Sequence, residues 1–360
     1  MSLVNTRIQN IRSNSRLDKF ELRPSRYGAL NLFLDQSQDP NGILTPELVE
    51  KARTSIGNTL ETPVINYDAN ISIGNTRSVT IADSENTSAM VQFTFTTYSW
   101  GFTVTPAMYM NNEISIQRDF EAKMMKYIYK FASTLDKAAL AALVAAKTQV
   151  MANPLFYTFG SNAISAGWLQ RENLLGDLNV MMEANDFFGQ LHIVGDAGVQ
   201  SLVRKLAQKD LYNIENKRNE WGDKIFHFTN GIAAAEKTFA QGYAVQQGSV
   251  GLLTRFERDS ILGTRSGDGH EWGIATLPVL NMPVGTYFYD SVDDYSAIAG
   301  AATADMTRTR KEHYGFAVDV CFVTAYNSSP STLASPIIAF NVGYDAATDK
   351  LGLVVNNVGQ

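Results

Sequence analysis

A single cysteine, Cys321, stands in 360 residues, together with only four histidines and ten prolines. One thiol excludes an intrachain disulfide and any site built from several thiolates. The apolar runs are short, and none approaches the length of a membrane-spanning helix, so no membrane partner is expected. The first residues lack the apolar stretch of a secretory signal, and the chain is expected to stay in the compartment where it is made. What is present is a hydrophobic fraction of 45%, enough for a sizeable core and too much for a disordered chain. The net charge is −6, unevenly spread. Arg7, Arg12, Arg16, Lys19, Arg23 and Arg26 face only Asp18 and Glu21 in the first 30 residues, a local +4 that leaves −10 for the remainder. This start reads either as a solvated arm or as one that docks on an acidic surface such as another copy of the chain.

The order of elements follows from punctuation and period. Residues 1–43 are expected to be polar and irregular, interrupted by Pro24, Pro40 and Gly42. Thr45, Pro46 and Glu47 give an N-cap, a first helical residue and a first-turn acid, starting a short helix that Gly57 ends. From Pro63 to Pro106 the pattern is that of strands. Val79 and Ile81 alternate with polar neighbours, Asp83, Ser84 and Asn86 turn the chain, and Val91, Phe93 and Phe95 alternate again. The phase then slips to Tyr98, Trp100, Phe102 and Val104, which predicts a bulge or bend after Phe95. The segment is expected to be a long, kinked, two-stranded arm whose aromatic face needs a cover, from this chain or from another.

A long helix is expected next, over about 113–148. Ile116, Phe120, Met124, Ile128, Phe131, Leu135, Ala139, Ala142 and Ala146 recur every three or four residues, with Asn112 as cap and Asp119–Lys123 as an exposed pair. An α/β region follows, with helices over 168–185 and 199–208 and a strand at 190–194. Further strands are expected at 277–280, 286–289, 316–326 and 336–342.

No pattern of catalysis emerges. His192 and His227 lie among apolar neighbours and read as core or surface residues, not as ligands. His270-Glu271 sits in a glycine-rich string, but no second histidine comes at ligand spacing, so the string is expected to be a loop and no metal site is assigned. Gly195-Asp196-Ala197-Gly198 lacks the lysine of a phosphate loop and the third glycine of a dinucleotide fingerprint, leaving a tight strand-to-helix turn. Asp290, Asp293 and Asp294 lack calcium-loop spacing. The aromatics are not interleaved with basic residues as in a single-strand binding groove. No catalytic residue, cofactor or metal ligand is assigned.

The order of parts resembles the major capsid proteins of tailed bacteriophages, of the Hong Kong 97 type. Three strings are similar to that family: Phe131 to Leu140 at the end of the long helix, Leu277 to Asp290 including Pro283-Val284-Gly285-Thr286-Tyr287-Phe288-Tyr289-Asp290, and Ser335 to Phe340. The resemblance implies an α+β fold with an N-terminal arm and short helix (1–62), an extended β-hairpin or E-loop (63–106) and a spine helix in a P-domain (107–165). An α/β A-domain (166–305) and return strands (306–360) complete it. It implies a structural protein of the virion, made in the host bacterial cytoplasm. Such a subunit self-assembles into hexamers and pentamers of an icosahedral phage head, around double-stranded DNA that it holds without sequence specificity. A portal, possible cement proteins and a separate scaffolding protein are the implied partners, because too few residues precede the spine to include a scaffolding segment. Some members weld the shell through a hairpin lysine, but Tyr67 to Val104 contains no lysine, so a non-covalent shell is expected. Arg7, Arg12, Arg16, Arg77, Phe93, Phe95, Tyr98 and Trp100 are the candidate inter-subunit contacts. A cellular compartment shell of the encapsulin kind and an α/β enzyme with an unrecognised site are the alternatives.

Overall fold

The structure is a computed structural model that describes residues 3–13, 27–39, 42–55, 57–66, 87–106, 116–209, 220–221, 224–233, 238–256, 270–278, 280–293, 309–324 and 334–343. Three helices come first: α1 (Leu3–Ser13), α2 (Gly28–Gln36) and α3 (Pro46–Thr54). The expectation of an irregular N-terminal stretch therefore fails twice. In α1, Val4, Ile8 and Ile11 fall on one face and are all buried, so a mostly polar string still docks by three side chains. In α2, Ala29, Leu30, Leu32 and Phe33 are buried. The third helix begins as its sequence demands, with Pro46 in the first turn and the Thr45 hydroxyl accepting from the Leu48 amide at 3.3 Å.

Strands β1 (Thr59–Asn66) and β2 (Thr87–Thr94) form an antiparallel pair, with Thr59 opposite Thr94 and Asn66 opposite Thr87. Phe95 then breaks the ladder, and β3 (Thr96–Val104) leaves the pair to join a five-stranded sheet. The bend expected after Phe95 is present, but the expected arm through Val104 is not. Tyr98, Trp100 and Phe102 belong to the body of the protein, because the phase slip hands their face to a different sheet. Val79 and Ile81 lie outside the described residues.

The long helix α4 (Ile116–Ala146) has 31 residues, about 46 Å of rise. Phe120, Met124, Ile128, Phe131, Leu135 and Ala139 are buried along it, as the period predicts. The expected capping residue Asn112 lies outside the described residues. After α4 come β4 (Thr158–Gly160), β5 (Ala163–Ala166), α5 (Arg171–Glu183), β6 (Leu191–Gly195) and α6 (Ala197–Lys209). Then follow β7 (Glu220–Trp221), β8 (Lys224–Phe228), β9 (Thr238–Gln246) and β10 (Val250–Arg255). The chain closes with β11 (His270–Thr276), β12 (Pro283–Asp293), β13 (Thr309–Thr324) and β14 (Ile337–Gly343). The described residues of the expected strand at 277–280, Leu277, Pro278 and Leu280, instead lie in the connection between β11 and β12, and His270-Glu271, expected in a loop, opens β11.

Two sheets organise these elements. A five-stranded sheet is built on the long β13, which pairs antiparallel with β3, β12 and β10. β3 and β12 share partners Glu312 to Ala317 and so occupy opposite edges of β13. The α4 stripe covers one face of this sheet, where Phe102, Tyr314 and Phe316 meet Phe120 and Phe131. Burying aromatics of that size contributes about 2–3 kcal/mol each. The second sheet runs β4-β5-β14-β9-β6-β8-β7. It carries α5 and α6 on a separate core of Leu174, Leu178, Met181, Ile193, Val199 and Phe340. The Gly195–Gly198 turn is the tight strand-to-helix turn expected: Asp196 caps α6 by accepting from the Val199 amide at 2.9 Å. A methyl on Gly198 would meet the Phe239 carbonyl oxygen at 2.0 Å, so close packing of helix on strand, not phosphate binding, requires that glycine.

Candidate assembly site at the root of the hairpin

The β1–β2 pair has no third strand among the described residues. It meets the body at its root, where Leu60 and Phe95 are buried with Leu48, Ala52, Leu253, Cys321 and Val323. At the centre of that contact stands Arg255, the last residue of β10. Its Nε donates to Asp319 Oδ2 at 2.9 Å. Nη1 donates to the carbonyls of Gly57 at 2.6 Å and Ser55 at 3.2 Å, and Nη2 to Asn58 Oδ1 at 3.2 Å. The guanidinium carbon lies 4.3 Å from the centre of the Phe95 ring. The second Asp319 oxygen accepts from the Thr97 hydroxyl at 2.6 Å. One planar cation thus gathers the turn before β1, the kink between β2 and β3, and two strands of the sheet. An arginine suits this position because its five donors are fixed in one plane.

A second buried charge fixes the crossing of α2 and α4. Asp136 on α4 accepts through Oδ1 from the amides of Ala29 at 3.0 Å and Leu30 at 3.1 Å, and through Oδ2 from the Thr229 hydroxyl. Tyr27 supplies no side-chain cap to α2. The N-terminus of α2 is therefore capped by a residue of another helix. Desolvation holds the Asp136 carboxyl above the usual carboxylate range despite these three donors.

The candidate contacts fall into two groups. Arg7 turns inward: it pairs with Glu312 at 2.9 Å and lies over the rings of Phe120 and Tyr314. Phe95 is buried in the root, while Tyr98 and Trp100 pack on Phe131. Phe93 packs partly buried against the root cluster. Phe95 is thus covered by its own chain, and Phe93, Tyr98 and Trp100 are partly covered by it. The Arg12 side chain, Arg16 and Arg77 lie outside the described residues. Met90 on β2 is 57% exposed, so an apolar side chain of the hairpin is left largely uncovered among the described residues.

Two polar features escape sequence reasoning. His192 and His227 are 35 positions apart, but the parallel pairing of β6 and β8 stacks them. Their rings share a 3.0 Å hydrogen bond between Nδ1 of His192 and Nε2 of His227. Burial pushes both down, His192 to about 4 against the opposing pull of Asp39, and His227 to about 3 with repulsion from His192 added. On the sheet face opposite α4, an aromatic row runs from Trp272 through Tyr287 and Tyr289 to His313, the last two stacked at 4.3 Å. His270 joins this row through its Nδ1 and the Tyr287 hydroxyl, 2.6 Å apart. Among the described residues no group of three or more metal-ligating side chains gathers, and no helix is long and apolar enough to cross a membrane.

No family model matches the sequence, and no curated protein matches it. The chain is similar to solved structures that share few of its residues. One is described as the capsid of Ralstonia phage GP4, with a TM-score of 0.48 at 9% identity over 89% of this chain and 91% of that one. A structure from Microbacterium phage Oxtober96 aligns with a TM-score of 0.46 at 13% identity, over 85% of this chain and 95% of the other. The capsid structure of the cyanophage P-SCSP1u aligns at 0.43 and 11% identity, covering 87% and 93%.

Proposed function

We propose that the chain is the major shell subunit of a phage head, a structural protein that assembles non-covalently with copies of itself into a closed container for double-stranded DNA. The observation that carries this reading is the hairpin: a strand pair that ladders with no other described strand, yet is tied to the body by a buried arginine. A two-stranded ladder is marginal in water by itself, and a buried charge network at its base makes sense if the hairpin must be held at a set angle for a surface elsewhere. In a symmetric assembly, that surface is another copy. The body contributes a helix layer and a sheet layer, the two faces a shell wall needs.

Within this reading the hairpin domain closes near Phe95 and β3 belongs with the spine. Met90, Arg77 and the basic residues Arg12 and Arg16 are assigned to contacts with neighbours, whereas Arg7, Phe95, Tyr98 and Trp100 hold the subunit together. Hexamers and pentamers, a virion location, a separate scaffolding protein, a portal and cement proteins belong to the same proposal.

The test removes the hairpin above its root. Glu61 pairs with Gln92, so residues 62–91 are replaced by an Asn-Gly turn. The variant is expected to stay folded and soluble and to form no shells by negative-stain microscopy, with or without the products of neighbouring genes. Shells of normal size from the shortened chain would overturn the proposal, as would wild-type protein that stays monomeric under every condition.

A further inference from the structure

Beyond Asp119, the face of α4 turned away from the sheet carries charge of one sign. Lys126, Lys130 and Lys137 are exposed. At 100° per residue they lie within about 40° of one another around the axis, and at 1.5 Å per residue they span about 16 Å along it. Lys147 follows the last turn, donating to the Ser161 carbonyl at 3.2 Å. Among the described residues none of the three ammonium groups has an ion-pair or hydrogen-bond partner. A helix that needs only solubility interleaves both signs at i, i+4 spacing. This one does so once, at Asp119–Lys123, 2.7 Å apart, and then stops. Beyond Glu121 its sole acid is Asp136, which is buried and committed to α2. Such one-sided charge stands out in a chain whose total is −6.

We propose that this lysine row is a contact surface for the phosphates of duplex nucleic acid, bound without regard to sequence. Complementary charge identifies the partner: a duplex presents one negative charge per about 1.7 Å of axis, so a row of this length lies against several phosphates. The chemistry also sets the mode. Ammonium groups on flexible stems act as point charges that accept many phosphate geometries, and no arginine fork or exposed aromatic stands among them to read a base. Three lysines per subunit grip weakly, and repetition over a symmetric wall makes the contact useful without immobilising the strand. The orientation this implies, helix layer towards the contents and aromatic sheet face outwards, rests on the shell reading; the phosphate contact does not.

The experiment measures binding of the full, unassembled chain to a short mixed-sequence DNA duplex as salt is raised from about 50 to 200 mM, the range over which counterion release is steep. Replacing Lys126, Lys130 and Lys137 together by glutamine is expected to reduce the slope of log K against log salt by about 2.7, or about 0.9 for each lysine. Circular dichroism confirms that the helix persists. Arg204→Gln on the exposed side of α6 and a scrambled duplex are expected to leave the slope unchanged. A slope that does not move in the triple variant overturns the inference, as does a wild-type chain that binds no duplex at the lowest salt. Microscopy of the same protein under assembly conditions separates the two proposals: shells with an unchanged slope remove the phosphate contact alone, and a lysine-dependent slope without shells under any condition removes the shell reading alone.

Discussion

At the hairpin root the buried charge is a guanidinium; where α2 crosses α4 it is a carboxylate. Arg255 meets a carboxylate, two carbonyls, a side-chain amide oxygen and an aromatic face. Asp136 meets only neutral donors, two of them amides at a helix start. Both tie elements distant in sequence, but they respond to different perturbations. The arginine holds its partners through one planar fork, so they must stay in place. The aspartate can take up a proton, and burial has already moved it in that direction. Rigidity at the root and adaptability at the spine follow from that choice of side chain.

Removing the arginine breaks the first half of the comparison. Arg255→Ala leaves Asp319 without its cation and Gly57, Ser55 and Asn58 without a donor, and is expected to destabilise the chain by about 3–5 kcal/mol in urea unfolding. Hydrogen exchange should accelerate first in β1 and β2. The double variant Arg255→Met with Asp319→Leu sharpens the point: loss of both charges is expected to recover most of the stability. If the double variant is as unstable as the single one, the carbonyl contacts matter more than the ion pair.

Asp136→Ala attacks the other half. It exposes no cation but leaves two amides of α2 and the Thr229 O–H without an acceptor, an expected loss of about 2–3 kcal/mol. Asp136→Asn keeps an oxygen for the amides and is expected to lose about half of that. Its carboxyl lies above the normal range in the folded state, so wild-type stability falls as pH rises from the unfolded value through the folded one, and the asparagine variant removes that slope.

The sequence shows the two junctions unequally, and the reason is distance. The helix carrying Asp136 is legible from its apolar period, and so is the helix capped by Thr45, because both signals are local. The kink at Phe95 is legible as a change of phase. Nothing local says that Arg255 meets Gly57 and Phe95, which lie 198 and 160 positions away. α1 was obscured because three apolar residues among asparagine, serine and arginine make too thin a stripe, although all three are buried. The aromatic strand after Phe95 looked like a free face because sequence records alternation, not which sheet receives it.

The histidine pair offers a third, smaller test with the opposite pH sign to Asp136. Both rings are held below the normal histidine range, to about 4 and about 3, so the unfolded chain binds protons that the folded chain refuses. Their contribution is intact above the unfolded value of about 6.5 and declines as pH falls through it. Between pH 7 and pH 6 the pair is expected to lose about 1.4 kcal/mol. His192→Asn with His227→Asn should flatten that part of the profile. If the profile stays steep, other groups are responsible for the acid sensitivity.

The smallest effect should come from the exposed ion pair on α4, and its smallness is the control for the rest. Asp119 and Lys123 approach to 2.7 Å, closer than Arg255 to Asp319, yet both are partly solvated. Lys123 also donates to the Thr103 carbonyl at 2.9 Å, so it keeps a partner when the carboxylate is removed. Asp119→Asn is therefore expected to change stability by less than about 0.5 kcal/mol, and by less still in high salt. A loss as large as that of Arg255→Ala would mean that contact distance sets the strength of these junctions. A negligible loss places the difference in burial: the root arginine matters because water cannot replace what surrounds it.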